Sequence, residues 1–288
     1  MKPDLNCAPC LLTWLSERIM MFGRTEDHYQ AVTSILRDLQ EGFQADVNVG
    51  SLANRTIESV SEYLYESAEH YKKIKSKNNQ TALEALPAAK DFIENGLTQE
   101  QKFERACSLA AAGNIAPLSS PSRVFEFQEV EEIVGGNRPM PLISERIFQV
   151  AQKAVNVLYL ADNAGEIGFD ALLISRLKEM GARVTLVVKD GPFFEDATLE
   201  DAAFFSIDES ADEILGTKGF FVPSESPSPL LEAFKKSDFV ISKGTGNFEA
   251  LEGETEGKPT IFMLKVKCQS ISKKLQMDMG EFAVKLVE

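Results

Sequence analysis

No apolar run in this chain is long enough to span a bilayer, so no membrane partner is expected. The N-terminal apolar stretch from Leu11 to Met21 is broken by Ser16, Glu17 and Arg18 and is followed by no small-residue cleavage site. It therefore does not read as a signal peptide. Cysteine is scarce: Cys7, Cys10, Cys107 and Cys268 form no disulfide framework for 288 residues, which points to a reducing cytoplasm. Positive charge is also short. The 30 basic residues stand against 44 acidic ones, a net charge of -14, and phosphate backbones are bound by positive patches, so no nucleic-acid partner is expected. No G-x-G-x-x-G follows the first expected strand and no G-x-x-x-x-G-K-[ST] occurs, which excludes the usual dinucleotide and P-loop sites. With two histidines and no serine elbow, Ser-His-Asp hydrolysis has little support.

What is present is 44% apolar residues, enough to bury a substantial core. The first hundred or so residues carry helical periodicity: Leu11, Leu12, Leu15, Ile19 and Phe22, then Ala31, Ile35 and Leu39. Val60, Leu64 and Tyr65 continue it, followed by Ala82, Leu86, Ala89 and Phe92. Pro117, Ser119, Ser120, Pro121, Ser122, Gly135, Gly136, Asn137, Pro139 and Pro141 mark a looser stretch around a short helix. From about 144 onward strands are expected at 155–161, 183–188, 219–222, 238–242 and 260–264. Helices are expected at 166–180, 196–206 and 227–236. That alternation predicts an α/β fold with a parallel sheet and helices on its faces. The expected organisation is a helical N-terminal domain over 1–115, a loop-rich linker over 116–143 and an α/β catalytic domain over 144–288.

The chemistry gathers at the expected strand ends. Asp162 and Asn163 follow the first strand, with Gly165 and Glu166 opening a helix. Lys189 and Asp190 follow the second strand, and Glu195-Asp196-Ala197-Thr198 opens the next helix. Lys243-Gly244-Thr245-Gly246-Asn247 follows the fourth, and Lys265, Lys267 and Cys268 follow the fifth. In a doubly wound sheet such ends share one crevice. Asp162, Asn163 and Asp196 are oxygen donors suited to Mg²⁺ or a similar ion, which could polarise a phosphoryl oxygen. Gly165 and the helix behind it would let backbone N–H groups approach an anion, and the glycines after Lys243 could form a second cradle. Lys243 and Lys267 could neutralise a transferring phosphoryl group. Plainer readings exist for each piece. Asp-Asn after a strand is common turn and cap chemistry, Glu166 and Asp170 suit a helix dipole, and lysines at strand ends are usually solvated.

Cys7-Ala8-Pro9-Cys10 has spacing suited to metal or redox chemistry, but a closed zinc site needs two more ligands and no second pair exists. Packing as small apolar side chains is the alternative. Trp14, on the apolar face of the first helix, is expected in the core.

Taken together, the motifs resemble those of the DUF89 family of damage-control phosphatases, in the subgroup with an N-terminal cysteine pair. The matching pieces are Cys7-x-x-Cys10, Tyr71-Lys72-Lys73-Ile74-Lys75 with Asn79, and Gly113-Asn114. They continue with Asp162-Asn163-Ala164-Gly165-Glu166 and Asp170, Glu195-Asp196-Ala197-Thr198, Lys243-Gly244-x-Gly246-Asn247-Phe248-Glu249, and Lys267-Cys268. The resemblance implies a helical N-terminal region on a Rossmann-like three-layer α/β/α core. It implies a phosphatase acting on small phosphometabolites (sugar phosphates or damaged phosphorylated metabolites), with Mn²⁺, Co²⁺, Ni²⁺ or Mg²⁺ as cofactor. It implies metal ligands Asp162, Asn163 and Asp196. The catalytic residues expected are Asp162, as ligand or as nucleophile, Lys243 and Lys267 against the phosphoryl charge, and Glu166 to orient water. Phosphate or substrate binding falls to Gly113, Asn114, Gly165, Lys243, Gly244, Asn247 and Lys267. The chain departs from the family pattern at Glu195, where asparagine is usual, at Pro117, where aspartate often stands, and at Glu69-His70, where Asp-Pro often precedes the tyrosine. A sensor without turnover and a carboxyl methyltransferase are the rival functions, and a zinc staple at the cysteine pair is a structural rival. Oligomeric state is left open.

Overall fold

A computed structural model describes residues 1–64, 66–117 and 124–288. Tyr65 and the turn signals Ser119, Ser120, Pro121 and Ser122 lie outside the described residues. Five helices come first: α1 (Cys7–Phe22), α2 (His28–Gly42), α3 (Val49–Val60), α4 (Ser67–Glu94) and α5 (Gln99–Ala112). Then follow α6 (Gln128–Val134), α7 (Glu145–Lys153), β1 (Asn156–Leu160), α8 (Ile167–Glu179), β2 (Arg183–Lys189), α9 (Leu199–Phe204) and β3 (Glu213–Thr217). The chain ends with α10 (Ser228–Lys236), β4 (Phe239–Lys243), α11 (Gly244–Leu251), β5 (Thr260–Lys265), α12 (Gln269–Leu275) and β6 (Phe282–Val287).

The strand order is β3-β2-β1-β4-β5-β6, parallel throughout except that β6 runs antiparallel to β5. Successive strand side chains point to opposite faces, and here both faces are apolar. Val157 and Tyr159 of β1 join Ile241, Met263 and the helical residues Phe103, Leu109 and Phe169 in one core. Leu158 and Leu160 join Val240, Phe262, Phe234 and Phe248 in another. Two buried faces require a helix layer on each, which gives the α/β/α sandwich. A third core of Leu15, Ile19, Ile35, Leu52 and Val60 holds α1, α2 and α3 together and takes in Phe193 and Phe194 from the loop after β2.

Several element assignments differ from the sequence reading, which also does not place α11 or α12. Residues 219–222 are not a strand: Phe221 and Val222 are both buried, Phe221 in the second core, rather than paired in the ladder. The strand is Glu213–Thr217, an edge strand only partly buried, so its apolar signal is weak. β6 is an additional strand at the opposite edge. The helix expected from 196 starts at Leu199, because Thr198 caps it through Asp201 and leaves Asp196 in extended chain before the cap.

Order reverses between β1 and β4, so the crevice of this sheet opens beyond the C-terminal ends of those two strands. The helical region is fixed over it by α3. A Cβ on Gly50 would lie 2.4 Å from the Cβ of Ala250 on α11, so glycine permits that close crossing. Asn48 caps α3 with its side-chain oxygen and donates to Ala250 O at 2.7 Å.

Candidate functional site at the sheet switch point

β1 delivers Asp162 and Asn163 to the crevice, and the loop after β2 delivers Asp196. Asn163 and Asp196 form an isolated antiparallel bridge, and Ala197 N donates to Asp162 O at 2.7 Å, so backbone pairing rather than side-chain attraction holds the three together. Asp162, Asn163, Asp196 and Lys267 all line one cavity of about 340 Å³. Burial first, then the charges of Glu166 and Asp196, pushes Asp162 up to about 7. Burial likewise pushes Asp196 up to about 6 against the pull of Lys189, whose Nζ lies 3.4 Å from Asp196 Oδ2. Desolvation lowers Lys267, opposed by Asp162 and Glu166.

The strand-end positioning depends on Gly244. It has φ +78, and a Cβ there would lie 2.0 Å from Asp162 Oδ2. Any larger residue would displace that carboxylate. Asn114, buried at the end of α5, donates to Asp162 Oδ2 at 2.7 Å and to Glu166 Oε2 at 3.0 Å. Its oxygen accepts from Lys267 Nζ at 3.3 Å and from Lys265 N at 3.2 Å. One amide therefore fixes an acid and a base of the site at once. Gly113 beside it packs against Phe169 and Glu166.

Several expected site residues stand behind the cavity rather than on it. Lys243 is fully buried and pairs with Glu166 Oε1 at 2.8 Å and Asp170 Oδ1 at 2.6 Å. Burial alone would lower its pKa, but the Asp170 and Glu166 charges raise it. Burial pushes Asp170 up to about 6, and Tyr159 OH donates to its Oδ1 at 2.7 Å. Glu166 also accepts from Asn163 Nδ2 at 3.0 Å. Asn247 donates to Ala161 O and Lys243 O, both at 2.9 Å, clamping the ends of β1 and β4. Gly165 N donates to Asn79 Oδ1 at 2.7 Å and Ala164 N donates to Glu195 O at 2.9 Å, so those two N–H groups are already used. Thr245 and Gly246, in the first turn of α11, do line the cavity, where helix N–H groups lack intrahelical partners.

Other residues of the site carry weak sequence signals. Lys75 on α4 pairs with Asp201 at 2.7 Å, and Asn79 donates to Asp201 at 2.8 Å, which anchors the loop bearing Asp196. Helical spacing puts Lys75 and Asn79 on one face, but nothing local names Asp201 as their partner. Arg18, which looks like a charge interrupting an apolar helix, is 1% exposed and lies 3.6 Å from Glu195. Trp14 packs partly buried against the core of α1, α2 and α3, as expected, and also lines the cavity; Cys7, Cys10 and Cys268 line it too. All four thiols are free.

The residues present fit a hard divalent cation. Asp162 and Asp196 supply carboxylates whose mutual repulsion a cation would relieve, and buried Asp196 Oδ2 has only the ion pair with Lys189 at 3.4 Å and no hydrogen bond. Asn163 spends its amide nitrogen on Asp162 Oδ2 at 2.6 Å and on Glu166, so its carboxamide oxygen is the atom that would serve the ion. The set is two carboxylates and one amide; among the described residues no group of three or more His, Cys, Asp or Glu is placed to hold a metal.

Comparison with known proteins shows similarity along the whole chain. A damage-control phosphatase of Archaeoglobus fulgidus is 30% identical over the full length of both chains. A damage-control phosphatase of Pyrococcus horikoshii is 36% identical over 66% of each. The crystal structure of a DUF89 family protein from Pyrococcus horikoshii superposes with a TM-score of 0.80 at 26% identity, covering 99% of this chain and 98% of that one. A family model matches residues 4–282, and this chain belongs to the family it describes, that of the damage-control phosphatase ARMT1-like domain.

Proposed function

We propose that this protein is a metal-dependent phosphomonoester hydrolase acting on small phosphorylated metabolites. The observation that carries this reading is the joint placement of Asp162, Asn163, Asp196 and Lys267 on one cavity at the sheet switch point. Oxygen donors for a cation and a lysine for a phosphoryl oxygen then face the same space.

Asp162, Asn163 and Asp196 hold the ion, with Mn²⁺, Co²⁺, Ni²⁺ or Mg²⁺ as candidates. A divalent ion held there supplies electrophilic stabilisation to the phosphoryl group. Lys267 and the first-turn N–H groups of α11 bind the remaining phosphoryl oxygens. Asn114 keeps Lys267 and Asp162 at fixed separation, since it bonds both. Lys243, Glu166 and Asp170 act one layer back: Lys243 balances the two buried carboxylates, and Glu166 holds the amides of Asn114 and Asn163. Asp162 is assigned as ligand rather than nucleophile, because the sequence places no acid two residues on; Ala164 stands there. The free thiols fit a reducing cytoplasm, and among the described residues no helix is long and apolar enough to cross a membrane.

The test is phosphate release from sugar phosphates, nucleotides and 4-nitrophenyl phosphate by metal-stripped protein resupplied with each ion. Asp162→Ala is expected to lower turnover by roughly 10³-fold or more while the protein stays folded. Full activity of that variant in the presence of metal sinks the assignment. Binding of phosphometabolite without release from any substrate shifts the reading to a sensor.

A further inference from the structure

The cavity is far larger than a phosphoryl group needs. Its volume of about 340 Å³ equals the liquid volume of roughly ten water molecules. Beyond the end marked by Asp162 and Lys267, the wall comes from Leu11, Trp14, Val49, Ile57, Phe194 and Phe220. These side chains offer almost no hydrogen-bonding groups. Cys10, an exposed residue of α1 that lines this concave surface, adds a neutral thiol: desolvation pushes it up to about 11.

Glu195, Glu249, Gln269 and Ser270 also line the cavity, and Arg18 lies against the rings of this wall. Arg18 lines the cavity and is 1% exposed, with its guanidinium 3.9 Å from the Trp14 ring centroid. Nη1 donates to Trp14 O at 3.1 Å and Nη2 lies 3.6 Å from Glu195 Oε1, but Nε is a buried donor with no hydrogen-bond partner. Tyr71 OH, also buried, interacts with this guanidinium, so Arg18 is held from the protein side and presents its stacked face with Trp14 to the wall.

A polyhydroxylated leaving group would give up its water hydrogen bonds to a wall that replaces few of them. An apolar ring would lose nothing and bury surface. We propose that the substrate is a phosphomonoester whose leaving group is an aromatic or other apolar ring system, rather than a free sugar phosphate. The reaction rests on the phosphatase reading above; the ring preference rests on the cavity wall. In that reaction a water oxygen bonds to phosphorus, the bond between phosphorus and the ring-side oxygen breaks, and a proton from the water ends on the leaving alcohol.

Trp14 is the single tryptophan of the chain and sits in this wall, so its fluorescence reports occupancy without turnover. The full chain with Mn²⁺ is titrated with phenylphosphonate and with methylphosphonate, neither of which can be hydrolysed, and calorimetry repeats both titrations. Phenylphosphonate is expected to bind about ten-fold tighter or more, from the apolar surface its ring buries. Leu11→Gln, a change on a half-buried helix position, is expected to weaken phenylphosphonate and leave methylphosphonate unchanged. Equal affinities for the two phosphonates overturn the ring preference. Hydrolysis of phenyl phosphate and glucose 6-phosphate is assayed in parallel. Tight phenylphosphonate binding with neither ester hydrolysed keeps the ring site and overturns the phosphatase reading. Hydrolysis of both esters at equal kcat/KM overturns the ring preference and keeps the phosphatase.

Discussion

The two sides of the cavity are built on opposite principles. Behind Asp162 lies a fully buried ion network in which Lys243, Glu166, Asp170 and Tyr159 bond one another at 2.6 to 2.8 Å. In front of it lies a wall of rings and aliphatic side chains from the helices and the loop after β2. The back is specified by charge balance and tolerates no unilateral loss, because removing one partner leaves a buried charge uncompensated. The front is specified by shape and burial, which tolerate substitution at modest cost. On the proposed function, reactivity falls to the sheet and substrate preference to the wall of helices and loops in front of it.

The sharpest way to break the contrast is at Gly244. Gly244→Ala places a methyl group on Asp162 and forces a residue with a Cβ to φ +78. Turnover is expected to fall by about 100-fold or more, since small misplacements at reacting centres cost that much. Activity near the parent level would show that Asp162 has room to move. Lys243→Met probes the ion network itself. It leaves Glu166 and Asp170 buried without their cation and is expected to cost about 3–5 kcal/mol in urea unfolding. Adding Asp170→Asn should recover part of that loss. An additive double variant would show that the pair is not coupled.

The pH dependence separates the back from the front without mutation. Asp162 is pushed up to about 7, and Asp170 and Asp196 to about 6, from an ordinary value of 3.8. The unfolded chain ionises these groups at lower pH than the folded one. Their contribution to stability is therefore fully present below about pH 4 and is lost as pH rises through 6 and 7. The metal-stripped protein should melt roughly 5 °C or more lower after that rise, and a divalent cation should restore the share owed to Asp162 and Asp196 by binding those two carboxylates. A melting temperature that climbs across the same interval in chelator counts against this electrostatic picture.

The smallest effect is expected in front. Arg18→Lys keeps the charge but loses the planar stacking on Trp14 and should cost about 1 kcal/mol of stability. It should raise KM for ring-bearing esters while leaving kcat within about three-fold, because the charge balance behind Asp162 is untouched. A large fall in kcat would mean that Arg18 acts through Glu195 on the neighbouring Asp196.

The central strands were legible because each is buried on both faces and reads as an apolar run: β1, β2, β4 and β5 fall where the pattern places them. The edges were not. β3 is half-exposed, and its Glu213 and Gly216 dilute the signal, while the buried Phe221 and Val222 mimic a strand without pairing. The same asymmetry runs through the site. Asp162, Asn163 and Asp196 stood out because polar oxygen donors follow apolar strands. Lys243 resembled a solvated strand-end lysine, and Glu166 with Asp170 resembled a helix-dipole pair. Only their convergence from two separate elements makes them one ion cluster.

Sequence alone determined the local order of this protein: which segments are strands buried on both faces, which loops carry oxygen donors and lysines, and that Glu166 and Asp170 share a helix face. Those features depend on neighbours a few residues apart, and periodicity and composition record them. Tertiary structure decided which of those groups face the cavity and which lie behind it. That depends on the strand order, on α3 crossing α11 at Gly50 and Ala250, and on contacts such as Asn114 with Asp162 and Arg18 with Glu195. Charges so far apart in the chain meet only when two buried sheet faces have been covered, and their burial then sets both their pairing and their pKa values.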